Sequence, residues 1–398
     1  MKIIAVLDSV ISAGGGFNQA LNAIVQMQRI CAGKYEFEVL TSHPQNIEAL
    51  DTLGIAAMAF DYTLFDHLVE RFRLSEWWRL FQARLKFMCP FEKMLIKRSC
   101  DLVYFVDPFG KAAALQKLNY ISTVWDLCHR DMPEFPEVKS GDAFFRRERY
   151  LKNFLSPAIA IVVDAEKSAD QIHLLYGVDR EKIQPMPFGP NPAIAEQHSK
   201  DMHTVLAKYE LEAGYFFYPA QFWSHKNHVR ILQALSVLRE RGESYRAVFV
   251  GGDQGNLAYV KSEVLRLGVG EQVRLLGFVP GSDMRGLFAG AHAIVMPSYF
   301  GPTNIPPLEA WMLDKPLIYT SWFEAQTGDA AIYVNPDDAM ELAGAMQRCD
   351  DEEYCKKIVA NGRKRLQTIA AEREAREKQL ALRIQSFARR LECWKNPF

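Results

Sequence analysis

The chain twice alternates short apolar runs with stretches of helical spacing, and every such run opens a strand–loop–helix unit. The first unit reads Ile3 to Val10, then Ser12-Ala13-Gly14-Gly15-Gly16, then Phe17, Ala20, Leu21, Ile24, Val25 and Gln28 at helical spacing. Strand, glycine loop and helix in that order begin a parallel α/β sheet. Further strand-like runs follow at Tyr35–Thr41, Ile55–Phe60, Leu102–Val106, Ile121–Trp125, Ile159–Val163 and Ile183–Phe188. The breaker cluster Phe188-Gly189-Pro190-Asn191-Pro192 and the polar stretch through Asp201 read as a linker. A second series then starts, with strands expected at Tyr215–Pro219, Ala247–Val250, Val273–Leu276, Ala293–Met296 and Leu317–Thr320. Helices are expected between them at His225–Arg241, Leu257–Leu267, Met284–Phe288 and from about Pro306. The tail from Asp337 to Leu391 reads as almost all helix.

A length of 398 residues fits two such domains, at roughly 100–200 residues each. They divide as 1–190 and 204–371, with 372–398 as a last helix and tail. Apolar residues at 49% and charged residues at 24% describe a globular chain. With 47 basic against 48 acidic residues, a protein built to bind nucleic acid is disfavoured. Seven cysteines without a C-x-x-C pair indicate neither a zinc site nor a disulfide framework. Asp8 cuts short the first apolar run, so it reads as a strand and not as a signal peptide, and no apolar stretch is long enough to span a bilayer. A reduced, cytoplasmic enzyme is the expectation.

Three loops carry the candidate chemistry. Gly14, Gly15 and Gly16 let backbone approach an anion at the start of a helix, although a tight turn needs the same residues. Tyr218 through His228 follows a strand and holds Gln221 and Lys226; the lysine there is either a phosphate contact or a solvated surface charge. Pro297 through Trp311 follows another strand, with Gly301 in the loop and Thr303, Asn304 and Ile305 offering backbone donors to a ligand at its mouth. Pro306 and Pro307 stand in a first helical turn, and Glu309 lies just beyond. Glu309 either grips ribose hydroxyls or complements the helix dipole.

Together these segments resemble the GT-B fold glycosyltransferases, specifically the large retaining family 4, group 1, and within it a branch of O-antigen and capsular polysaccharide mannosyltransferases. The resemblance implies two doubly wound Rossmann-like domains facing across a cleft. The N-terminal one binds the acceptor, the C-terminal one binds the nucleotide sugar, and the last helix crosses back to the N-domain. It implies that Lys226 faces the donor diphosphate and Glu309 the ribose. The arginine usual five residues before the lysine is replaced by Gln221, and the first of two family glutamates falls on Gly301. Val250-Gly251-Gly252-Asp253 resembles the glycine turn of the nucleotide domain, and Gly277-Phe278-Val279 the segment that reads the base. Trp125-Asp126-Leu127-Cys128-His129 resembles the family's His-Asp-Leu segment with Trp125 in the histidine's place, which leaves Asp126 and His129 as candidate catalytic groups.

No D-x-D triplet occurs, so no metal site is expected on the diphosphate and no cofactor beyond the donor, GDP-mannose being favoured. Leaving-group charge would then fall to Lys226, helix N-termini and the glycine loop. The implied function is metal-independent, retaining transfer of a hexose to a glycan or polyprenyl-linked glycan. A non-catalytic nucleotide-sugar-binding partner subunit and a nucleotide-sugar 2-epimerase are the alternatives. Residues 71–98 carry Arg71, Arg73, Arg79, Arg84, Lys86, Lys93, Lys97 and Arg98 among Phe72, Trp77, Trp78, Phe81, Phe87, Met88 and Phe91. That mixture suits an anionic membrane on the cytoplasmic face, or an ordinary helix pair with a core of aromatics.

Overall fold

The computed structural model describes residues 1–10, 14–75, 88–108, 111–191, 194 and 201–394. The chain forms two compact units. One comprises Met1–Glu134, Val138–Pro187 and the chain from Glu372 on; the other comprises Phe135–Glu137 and Phe188–Ala371.

The first unit holds β1 (Lys2–Leu7), β2 (Glu36–Thr41), β3 (Ala57–Ala59), β4 (Leu102–Pro108), β5 (Asn119–Val124), β6 (Ala160–Val163) and β7 (Ile183–Pro185). They pair in parallel in the order β3-β2-β1-β4-β5-β6-β7, with Ile3 opposite both Phe37 and Leu102. Alternation along β1 sends Ile4 and Val6 into one core cluster and Ile3, Ala5 and Leu7 into another, so both faces of the sheet are covered. The second cluster is closed by the helix Gly15–Cys31 and by Leu380, Ile384 and Phe387 of the last helix, Glu352–Leu391. Those three side chains recur at helical spacing and are almost fully buried, each adding roughly 1.5–3 kcal/mol of apolar burial. Arg383 fixes the same helix by donating to the carbonyls of Ile159 (2.6 Å) and Glu181 (3.0 Å). Apolar burial on the first sheet is thus what draws the last helix back to the N-terminal unit.

The second unit holds β8 (Tyr215–Pro219), β9 (Ala247–Val250), β10 (Val273–Gly277), β11 (Ala291–Met296), β12 (Leu317–Thr320) and β13 (Ile332–Val334). Their parallel order is β10-β9-β8-β11-β12-β13. The expected pair of doubly wound α/β sheets is therefore present.

Several details differ from the sequence reading. β1 stops at Leu7 because the amides of Asp8 and Ser9 turn onto Asp107 Oδ2, at 2.5 and 3.1 Å. The three-residue β13 carries too little pattern to be read in advance. The second unit begins at Phe188 and also takes in Phe135–Glu137. The basic, aromatic stretch 71–98 is partly structural. Arg73 is buried and donates to the carbonyls of Ala113 (3.2 Å) and Ala114 (2.8 Å), Phe91 belongs to the core, and Arg98 pairs with Glu38. Trp77, Trp78, Arg79, Phe81, Arg84, Lys86 and Phe87 lie outside the described residues. Among the described residues no helix is long and apolar enough to cross a membrane.

Candidate functional site

Open α/β sheets bind ligands beyond the carboxyl ends of strands, where strand order reverses. The second sheet reverses between β8 and β11. The loops leaving these two strands are stitched together: Tyr299 N–H donates to the His225 carbonyl at 2.9 Å, and Asn227 Nδ2 donates to the carbonyl of Pro297 at 3.1 Å. On the other side Phe222 N–H donates to Gly252 O at 3.0 Å, and Gly251 N–H to Gly277 O at 2.8 Å. The ends of β10, β9, β8 and β11 thus form one hydrogen-bonded rim. It brings Gln221, Lys226, Gly252, Phe278, Val279 and Gly301 to a single edge of the sheet. At this rim Gly251 has no room for a side chain, since a Cβ would sit 2.3 Å from the Ala220 carbonyl oxygen, whereas Gly252 has open space. Phe278 is exposed and Val279 buried.

Lys226 does not open the following helix. Ser224–Lys226 is a tight turn, Asn227 has a φ of 57°, and the helix runs from His228 to Glu240. The lysine is placed instead through its backbone: its N–H donates to Trp223 O at 3.1 Å, and Tyr218 Oη donates to its carbonyl at 2.9 Å. Its neighbour His225 stacks on Phe300, with ring centroids 4.3 Å apart and planes at 13°, and hydrogen-bonds Glu137 through Nδ1. Phe135 packs on Phe300 at 5.0 Å. Burial pushes the Glu137 carboxyl up, but its hydrogen bonds with His225 outweigh this and hold it below the usual carboxylate range. Sequence reading missed Phe135 and Glu137, because no local pattern links them to a turn 88 residues away. His228 is fully buried beside Phe222, and burial pushes its imidazole down to about 3, so it stays neutral as a packing residue.

The loop after β11 is locked from within. Gln326 accepts from Asn304 N–H at 2.8 Å and donates to the Asn304 carbonyl at 2.5 Å. Tyr319 Oη bonds Gln326 Oε1 at 2.9 Å and receives Asn304 Nδ2 at 2.8 Å. Asn304 Nδ2 also reaches Gly301 O at 3.0 Å. The Asn304 amide, expected to face the donor, is therefore committed inside the protein. The helix Pro306–Met312 also has little to offer an anion. Two prolines lack N–H groups, and the amides of Leu308 and Glu309 return to the Ile305 carbonyl at 2.9 and 3.3 Å. Gly301 has a φ of +99°, and a Cβ there would come within 2.9 Å of Asn304 Oδ1, so this backbone has no place for a glutamate.

Glu309 is 5% exposed, and burial pushes its carboxyl up to about 8, opposed by a hydrogen bond from the Asn191 backbone. The carboxyl is neutral over much of the physiological range, able to donate as well as accept. Its helix is anchored by Trp311, whose Nε1 donates to Ala330 O at 3.0 Å and whose ring lies where a Cβ on Gly362 would otherwise stand.

In the first unit the order reverses between β1 and β4. Gly14 has a φ of 63° and precedes a helix, Gly15–Cys31, with no side-chain cap, so the amides of Gly15 and Gly16 stand at an uncapped helix N-terminus. Trp125 lies against Gly16. Asp126 accepts from Cys128 N–H at 2.9 Å and starts the next turn. His129 is fully buried and bonds Glu148 Oε1 through Nε2 at 2.9 Å; Arg130 and Tyr176 hold the same carboxylate. Burial pushes the His129 imidazole down more than Glu148 raises it. With no exposed atom, His129 cannot touch a substrate in this conformation, and its role here is to hold the segment.

Comparison with known proteins gives these loops a context. Residues 208–365 match the family model of glycosyl transferases group 1. The chain is 26% identical over 233 residues to O-antigen chain mannosyltransferase B of Escherichia coli, covering 57% of this chain and 61% of that protein. It is 27% identical over 183 residues to O-antigen chain mannosyltransferase RfbU of Salmonella typhimurium, covering 46% and 48%. The chain thus spans about half to three-fifths of these relatives' lengths. Among solved structures, Anabaena Alr3699/HepE in complex with UDP and glucose superposes with a TM-score of 0.71 at 16% identity, over 97% of this chain and 100% of that one. The fold is GT-B.

Proposed function

We propose that the protein, whose residues 208–365 match the family model of glycosyl transferases group 1, transfers a hexose from a nucleoside-diphosphate sugar to a surface-polysaccharide glycan. The observation that carries the reading is the hydrogen-bonded rim that sets Lys226, Phe278 and the 301–305 loop on one sheet edge. Lys226 meets the diphosphate as a point charge, and Glu309 meets ribose hydroxyls. The backbone at Phe278 and Val279 reads the base. The hexose is mannose and the donor GDP-mannose, a choice supported by the O-antigen mannosyltransferase relatives. Transfer retains anomeric configuration and needs no metal, the departing phosphate taking the acceptor proton.

The acceptor is lipid-linked and the enzyme works at the cytoplasmic face. The exposed side chains of Leu64, Phe65 and Leu68 on one helix, just before the basic and aromatic stretch, support this. The reaction is tested by incubating GDP-mannose with lipid-linked acceptor in EDTA and reading the product anomer by NMR. An inverted product or a strict metal requirement rejects the mechanism. Flotation with anionic liposomes tests the membrane claim separately, and protein left in the soluble fraction at low salt rejects it.

A further inference from the structure

The 301–305 loop is held by a residue that belongs to no recognisable motif. Gln326, 6% exposed on the short helix Glu324–Thr327, uses both ends of its amide on the main chain of Asn304, with its oxygen shared by the Tyr319 hydroxyl. The pairing is specific to a neutral group that accepts at one atom and donates at the other. Asn304 itself returns to Gly301 O. The ring Gln326–Asn304–Tyr319 therefore fixes a loop whose glycine at 301 supplies no side chain to hold it.

We propose that Gln326 is a positioning residue: it acts through the Asn304 main chain to hold the 301–305 loop where the donor's leaving group develops charge. The proposal rests on the transferase reading above. Preorganised groups act mostly on the chemical step, so loss of Gln326 lowers kcat more than it raises the donor KM. Gln326→Leu removes both hydrogen bonds. Gln326→Glu keeps the shape and, when its carboxyl is protonated, restores both the acceptor and the donor; when ionised, it sets a negative charge against the Asn304 carbonyl. The groups that bear on that ionisation are Tyr319 on β12 and Arg365 on the last helix, whose guanidinium donates to Gln326 O at 2.8 Å. Glu324 lies on the same turn, and the Tyr333 hydroxyl on β13 bonds Thr327. Arg365 favours the ionised form, while burial and the facing carbonyl favour the neutral one.

The experiment is steady-state transfer from GDP-mannose, with UDP- and dTDP-sugars in parallel, between pH 5.5 and 8.5, for wild type and both variants. Amide hydrogen exchange at Asn304 and melting are followed alongside. Expected are a kcat about tenfold or more below wild type for Gln326→Leu at every pH, donor KM within about threefold, and faster exchange at Asn304. Gln326→Glu should recover relative to wild type as pH falls and lose activity as pH rises. A native kcat for Gln326→Leu overturns the proposal, as does a Gln326→Glu profile parallel to wild type or unchanged Asn304 exchange in both variants. If the wild type uses none of these donors, the transferase reading falls first, before any variant is compared.

Discussion

The indole of Trp125 lies against the helix turn at Gly16: a Cβ built on Gly16 would come to 3.2 Å of Cζ3 and 3.3 Å of Cη2. Gly15, one residue earlier, has nothing within 4 Å. The two glycines therefore have different surroundings: Gly16 packs under the indole, while Gly15 has open space around it. Gly16→Ala should push the indole or the turn by a few tenths of an ångström and cut transfer severalfold or more, because small misplacements at a reacting centre are costly. Gly15→Ala should change transfer less than threefold. Equal effects in matched initial-rate assays would show that Trp125 does not constrain this turn.

Gly301→Glu would restore the side chain usual in the resembling family, yet the structure predicts loss, not gain. A side chain at a φ of +99° costs on the order of 1–3 kcal/mol in strain, before any clash with Asn304. Thermal melting of this variant should fall by several degrees and transfer should drop. Unchanged melting with raised activity would mean that the loop adopts a different conformation.

Burial of Glu309 makes stability depend on pH. Its folded carboxyl binds its proton more tightly than an unfolded one, the value rising from 4.5 to about 8. A group of this sign adds nothing unfavourable below about pH 4.5, and destabilises progressively as pH rises from there toward 8. Glu309→Gln should therefore be more stable than wild type at pH 7, on the order of 1–3 kcal/mol, and equally stable at pH 4. Donor affinity should fall in the same variant. If ribose hydroxyls donate to this carboxyl on binding, its value drops and protons are released at pH 7. Titration calorimetry in buffers of different ionisation enthalpy reads that release, and its absence in wild type would argue against the ribose contact.

The Glu148 carboxylate gives the opposite sign. Burial pushes it up, but hydrogen bonds from Arg130, Tyr176 and His129 outweigh burial and hold it at about 2. The stabilisation is present above about pH 4.5 and is lost as pH falls toward 2. Glu148→Gln should flatten acid unfolding in that window. His129→Gln should melt lower while keeping most transfer per folded molecule; a hundredfold loss without a melting change would return His129 to the catalytic set.

The sheets were legible because parallel strands buried on both faces read as continuous apolar runs; Tyr215–Pro219 and Ala247–Val250 lie where that pattern puts them. The glycine and proline loops were legible too, since they follow such strands. Hidden from sequence were pairings set only by the fold: Gln326 meets Asn304 across 22 residues, and Glu137 meets His225 across 88. Arg73 looked like a surface charge, since nothing local shows that two carbonyls wait for it in the core. Lys226 was readable as a residue but not in its placement, which depends on the left-handed Asn227 ending the turn.

The central claim is that the rim carrying Lys226 transfers sugar from a nucleotide donor. The most direct measurement follows radiolabelled GDP-mannose with lipid-linked acceptor, separating glycan product, free sugar and nucleotide sugar, for wild type and Lys226→Ala. The account predicts label in the glycan with wild type, and a rate about 10²-fold lower or worse for Lys226→Ala at native melting, on the scale of losing one preorganised donor to developing charge. Label that stays on the nucleotide, bound but unchanged, or appears as an epimerised sugar, would contradict it, as would a Lys226→Ala variant that transfers at the wild-type rate.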